Sequence, residues 1–135
     1  MTTSAPVRGY LLDTHIALRA LESPELLTAA ARKAVLTGCN FLSILSYWEV
    51  TLKSMKGKLD VGDPRVWWFE ALEQLAATPL LLHPRHVAAL QGLPPIHKDP
   101  FDRMLIAQAE SEGLALVTMD VKIARYDGPA LRLIG

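Results

Sequence analysis

Four carboxylates stand where an α/β chain places functional side chains. Asp13 directly follows the apolar run Tyr10, Leu11, Leu12, and Asp120 follows the apolar run 114–118. Each is therefore expected at the carboxyl end of a strand, the rim where open α/β sheets bind ligands. If the two strands are neighbours at the sheet centre, their acids share one rim. Glu49 lies in the helical stretch 45–56, whose apolar stripe reads Leu45, Trp48, Leu52 and Met55. At about 100° per residue Glu49 falls at the edge of that stripe, about 80° from its centre, and can reach over the strand ends. Asp102 opens a further helix and shares a face with Ile106 and Ala109, both core-type residues. An acid aimed along an apolar face is costly unless something compensates it.

Each acid also has a plain structural reading. Asp13 and Asp120 can cap the elements that follow them. Glu49 can pair with Lys53 four residues on, a contact worth a few tenths of a kcal/mol. Asp102 suits the first turn of a helix, with Asp99 as the better cap. Gathered at one rim, however, the four would repel one another and lose solvation. The chemistry that uses such a cluster is a cage for a hard divalent cation, and Mg²⁺ prefers oxygen ligands while keeping several waters. Such an ion activates a water, polarises a phosphoryl oxygen and neutralises charge in the transition state. Phosphodiester hydrolysis uses all three. The expected reaction is in-line attack of water on phosphorus, the cation stabilising the departing 3′ oxygen and a 5′ phosphate remaining.

Alternating elements must position these acids. Apolar runs at 9–12, 40–44, 79–82, 114–118 and 131–134 alternate with stretches of helical period, the signature of βαβ units around a parallel sheet. The runs are continuous, as expected for strands covered on both faces. Helices are predicted over 25–36, 45–56, 64–77, 85–91 and 101–111. Gly38, Gly57, Gly92 and Gly113 end four of them, while Asp63–Pro64 and Asp99–Pro100 open two. The fold class is α/β, a three-layer α/β/α sandwich on a central, mostly parallel sheet of about five strands. No linker, repeat or low-complexity tract interrupts it, so one domain is expected over 1–135, with its core over 8–134.

Half of the 135 residues are hydrophobic, and 14 basic residues balance 14 acidic ones. A chain of this length can bury one core. Zero net charge gives no pointer to nucleic acid, so phosphate contacts must come from a local patch or from metal ions. Cys39 is the single cysteine, which excludes an internal disulfide and a cysteine-rich zinc site. It is expected to be a buried, unreactive thiol. No apolar run approaches the ~20 residues needed to cross a bilayer. Residues 1–8 lack the apolar core of a signal peptide. A cytoplasmic protein without membrane contact is the expectation.

The acid-bearing segments resemble, in order, those of the PIN-domain family. Leu11-Leu12-Asp13-Thr14-His15 is similar to its opening strand and first acid, and Ser46-Tyr47-Trp48-Glu49-Val50 to its helical second acid. The run from His97 through Asp99-Pro100-Phe101-Asp102-Arg103-Met104-Leu105 to Ala109 is close to a signature of one bacterial toxin subgroup. Leu116-Val117-Thr118-Met119-Asp120 matches the strand carrying the final acid. The resemblance runs from Leu11 to Ile134. It implies a VapC-like toxin, an Mg²⁺- or Mn²⁺-dependent endoribonuclease held inactive by a cognate antitoxin and forming a homodimer. It assigns catalysis and metal binding to Asp13, Glu49, Asp102 and Asp120, the last able to act through water. It places Thr118 and Ser46 as hydroxyls supporting the acids. A basic antitoxin residue approaching the acids would neutralise and inhibit them in one event.

Other residues take secondary roles. Lys53, Lys56, Lys58, Lys98 and Arg103 lie near the acids in sequence and are candidates to neutralise RNA phosphates, Arg103 foremost; a solvated helix face is the plain reading. His15 and His97 are read as surface or packing residues rather than proton carriers. Trp67, Trp68 and Phe69 are read as packing or interface aromatics rather than base-stacking platforms. Two other functions compete. A phosphatase of the haloacid-dehalogenase type wants a second Asp two residues after the first, where this chain has His15. A catalytically silent PIN-like module that only binds a partner would lack acids, and all four are present.

Overall fold

In the computed structural model residues 7–126 and 131–135 are described, and the segment 1–6, most of the stretch expected not to be a signal peptide, lies outside that range. Strands β1 (Tyr10–Leu12), β2 (Asn40–Ser43), β3 (Thr78–Leu80), β4 (Ala115–Val117) and β5 (Arg132–Ile134) form one sheet in the order β3-β2-β1-β4-β5. Every pairing is parallel. The helices are α1 (Thr14–Glu22), α2 (Ala29–Thr37), α3 (Ile44–Met55), α4 (Pro64–Gln74), α5 (Pro84–Gln91) and α6 (Pro100–Glu112).

Alternation along the two central strands splits the core into two layers. Leu11 and Leu116 face α5 and α6, packing with Leu105, Ile106, Ile123 and Leu131. Leu12 and Val117 face the opposite side with Leu42, Ile16, Val50 and Trp68. Burying apolar side chains on both faces is what ties a parallel sheet to its helices. Among the described residues no helix is long and apolar enough to cross a membrane.

Local signals explain most boundaries. Asp63 and Asp99 cap α4 and α6 through hydrogen bonds from the N–H groups of Arg65 and of Phe101 and Asp102. Gly113, at φ 67°, closes α6 in the left-handed conformation that favours glycine. Three expectations fail. The stretch after Asp13, assigned no element from sequence, is helix α1, which buries Ile16 and Ala17. The helix expected from residue 25 starts at Ala29, because Pro24–Leu26 forms a 3₁₀ turn and Thr28 supplies the cap to the Ala31 N–H. The third strand ends at Leu80, leaving Leu81 and Leu82 exposed.

Two burial expectations are also corrected. Cys39 is exposed rather than buried, lying in the turn between α2 and β2. The inward face of α3 is Leu45, Ser46 and Val50, whereas Trp48 and Met55, read as core, are exposed. Trp48 instead meets Phe101 of α6 edge to face with centroids 5.1 Å apart. Trp67 and Trp68 are buried, Trp68 stacked on Tyr47, while Phe69 faces solvent.

Candidate active site

The β1–β4 register brings the rim together. Leu11 pairs with Leu116 and Leu12 with Val117, so the next residues, Asp13 and Thr118, come opposite each other. The Asp13 N–H donates to the Val117 carbonyl at 3.0 Å, extending the ladder by one step. The Thr118 hydroxyl then donates to Asp13 Oδ2 at 2.7 Å and accepts the Asp120 N–H at 3.1 Å. One hydroxyl thus ties the two strand-end acids together. Asp13 Oδ1 accepts the Thr14 N–H at 2.7 Å, so its cap role and its place on the rim coexist.

His15 belongs to the same cluster. Its Nε2 accepts the Met119 N–H at 3.2 Å, which leaves the ring hydrogen on Nδ1, 3.1 Å from Asp13 Oδ2. Imidazole therefore braces the β1 acid against the backbone following β4. Ser46 reaches the acids only indirectly, its hydroxyl 2.9 Å from that of Thr14.

Asp102 enters from the first turn of α6, and His97 meets it, Nε2 lying 2.7 Å from Oδ2. The same nitrogen is 3.9 Å from Asp120 Oδ2. Burial, reinforced by the carboxylates of Asp13 and Asp99, pushes the Asp102 carboxyl up to about 6 despite the opposing effect of His97. Its charge is under-compensated by protein groups alone. A divalent cation at this point would offset it, and the oxygen-rich donor set suits a hard ion.

Glu49 stands apart. Its carboxylate holds Lys53 at 2.9 Å, the pair expected from the plain reading. The bond to Glu49 raises the Lys53 ammonium above its ordinary range, and the charges of Asp99 and Asp102 add to this. One ligand atom each from His97, Asp102 and Asp120 lie within 4.8 Å of one another, a group that contains neither Asp13 nor Glu49. An open cleft of about 260 Å³ runs beside Asp120, walled by Thr118, Met119, Val121, Ala124 and Leu133.

The basic candidates divide. Lys56 and Lys98 are exposed. Arg103 is engaged inward, its Nη1 donating to the Pro94 carbonyl at 3.0 Å and to the Tyr126 hydroxyl at 3.2 Å. The sequence points to both site histidines as surface or packing residues before proton carriers, since single histidines carry no pattern. Their position beside the acidic motifs was the available signal.

Thr118→Val tests the rim's architecture. It keeps the shape of a buried side chain yet removes both hydrogen bonds. Turnover should fall about 10- to 100-fold, while Thr118→Ser stays near the parent rate; steady-state rates with matched thermal melts provide the check.

Fold and rim together define an α/β/α-sandwich protein with an acidic site at the carboxyl ends of its central strands. It belongs to the PIN domain family, whose profile matches residues 10–129. Ribonuclease VapC22 of Mycobacterium tuberculosis is 26% identical over 121 residues, spanning 88% of this chain and 92% of that protein. The fold is similar to a chain of VapBC2 from Rickettsia felis, solved bound to a DNA fragment from its promoter. That match has a TM-score of 0.60 and 16% identity over 92% of this chain and 96% of the other. FitAcB from Neisseria gonorrhoeae matches with a TM-score of 0.59 and 18% identity, covering 93% and 96%.

Proposed function

We propose that the chain is an endoribonuclease that hydrolyses RNA phosphodiester bonds with Mg²⁺, or Mn²⁺ in its place, and that it is the toxin of a toxin–antitoxin pair. The observation carrying this reading is the crowding of Asp13, Asp102 and Asp120 at the sheet's carboxyl rim. Burial and neighbouring carboxylates push Asp102 up to about 6 there. Stability gains nothing from such an arrangement. The 26%-identical relative named a ribonuclease supports the activity. The paired names of the solved neighbours support a protein partner.

Asp13, Asp102 and Asp120 would hold the cation, with Glu49 adding negative charge from α3. When bound, the cation supplies an activated water and charge neutralisation at the phosphoryl group. Thr118 and His15 fix the Asp13 carboxylate, so its oxygens need no reorganisation. The open cleft beside Asp120 offers room for the RNA chain to approach. Lys56, Lys58 and Lys98, all exposed, can meet phosphates, and Lys53 joins them once it leaves Glu49. The cognate antitoxin would silence the enzyme by presenting a basic side chain to the acids. A homodimer and a cytoplasmic location complete the proposal.

The direct experiment incubates purified chain with a mixed RNA pool. Fragments carrying 5′ phosphates should form with Mg²⁺, vanish with chelator and return on adding Mg²⁺ or Mn²⁺. Cleavage unaffected by chelator, or none under any metal, overturns the reading.

A further inference from the structure

Resting on the cation reading above, we propose that His97 is a nitrogen ligand of that cation and tunes the site toward manganese over magnesium. The side chain is nine-tenths buried, with 9% exposed, and its Nε2 sits between Asp102 and Asp120. The three ligand atoms lie within 4.8 Å of one another, close to the ~4 Å that opposite ligands of one ion span.

The loop bearing His97 is braced to put the ring there. Tyr126 Oη accepts the N–H groups of Ile96 at 3.1 Å and His97 at 2.8 Å, and donates to the Pro94 carbonyl at 3.0 Å. Arg103 Nη1 donates to the Pro94 and His97 carbonyls, at 3.0 and 3.4 Å, and to Tyr126 Oη at 3.2 Å. A phenol and a guanidinium are thus committed to three residues, Pro94, Ile96 and His97, outside any helix or strand. Packing alone asks for no such brace, and ring placement does.

The chemistry of the donor sets the preference. Mg²⁺ takes oxygen and resists dehydration, so a cage of carboxylates alone separates it poorly from Mn²⁺. Imidazole nitrogen suits first-row transition metals, and their affinity for such a site rises from Mn²⁺ onward. Nε2 is hydrogen-bonded to Asp102 Oδ2 at 2.7 Å in the structure; on cation binding His97 gives up that bond and ligates as the neutral Nδ1–H tautomer, presenting the Nε2 lone pair to the ion.

The test is pulsed electron paramagnetic resonance of Mn²⁺ bound to the full-length chain, with Mn²⁺ and Mg²⁺ affinities measured by calorimetry. The wild type should show ¹⁴N coupling from a ligating imidazole. His97→Gln should abolish it, weaken Mn²⁺ binding about tenfold or more, and change Mg²⁺ binding less than about threefold. Tyr126→Phe, which frees the loop but keeps the ring, should weaken Mn²⁺ in the same direction. Bound Mn²⁺ without nitrogen coupling in the wild type overturns the inference, a readout that needs no variant to fold. So does an equal loss for both metals in His97→Gln. Either result alongside intact, chelator-sensitive RNA cleavage removes only this inference; failure of the wild type to bind any divalent cation removes the functional reading as well.

Discussion

Asp13→Asn should cut RNA cleavage by about three orders of magnitude, equivalent to about 4 kcal/mol of transition-state stabilisation, while the chain stays folded. Asp13 is 3% exposed, and its carboxylate accepts hydrogen bonds from the Thr14 N–H and the Thr118 hydroxyl, with His15 Nδ1 3.1 Å from Oδ2. Asparagine keeps the shape and loses the charge. It also turns an NH₂ toward one of those donors, leaving it unsatisfied at a cost of about 1–3 kcal/mol. Cleavage of a fluorogenic RNA and a thermal melt separate the two effects. A variant that melts several degrees lower yet cleaves within tenfold of the parent would remove Asp13 from the reaction.

Asp102→Asn should lose activity to a similar extent but move stability the other way. The Asp102 carboxyl is raised from 3.8 to about 6, first by burial and then by Asp13 and Asp99. A raised folded-state value means the native chain prefers the protonated acid. The resulting stabilisation is complete below about pH 4 and is lost as pH rises through about 6. Without metal at pH 7.5, the parent therefore carries an unfavourable charge that asparagine lacks. The variant should melt higher in chelator, by roughly 2–5 °C for a domain of this size. Divalent cation should raise the parent's melting temperature by mass action and leave the variant unmoved. Lower stability of the variant in chelator at pH 7.5, or equal stabilisation of both by Mg²⁺, would contradict the assignment of Asp102.

The two aspartates at strand ends were legible because apolar runs locate strands and a polar residue just past a run locates the rim. The parallel sheet and the caps at Asp63 and Asp99 were legible for the same local reasons. Glu49 shows where pattern runs out. The stripe through Trp48 and Met55 is apolar, yet both side chains are exposed, while Ser46 and Val50 turn inward. Hydrophobicity marks an apolar face without saying whether this chain or another surface covers it. Helix α1 went unassigned because nothing short of the fold distinguishes Asp13 as a strand end from Asp13 as a helix cap, and it is both. Long-range pairing hid the rest. His97 meets Asp102 and Asp120 from a loop that Tyr126 and Arg103 also hold, and Arg103 is thereby drawn from the solvent role its charge suggested.

Calorimetric titration of Mg²⁺ into the metal-free chain, set beside the same titration of an Asp13→Asn/Asp102→Asn double variant, addresses the rim most directly. Saturable binding by the parent, absent from a double variant that still shows native circular dichroism, is the expected result. Equal binding by both proteins, or no heat from the parent at millimolar Mg²⁺ or Mn²⁺, would contradict it.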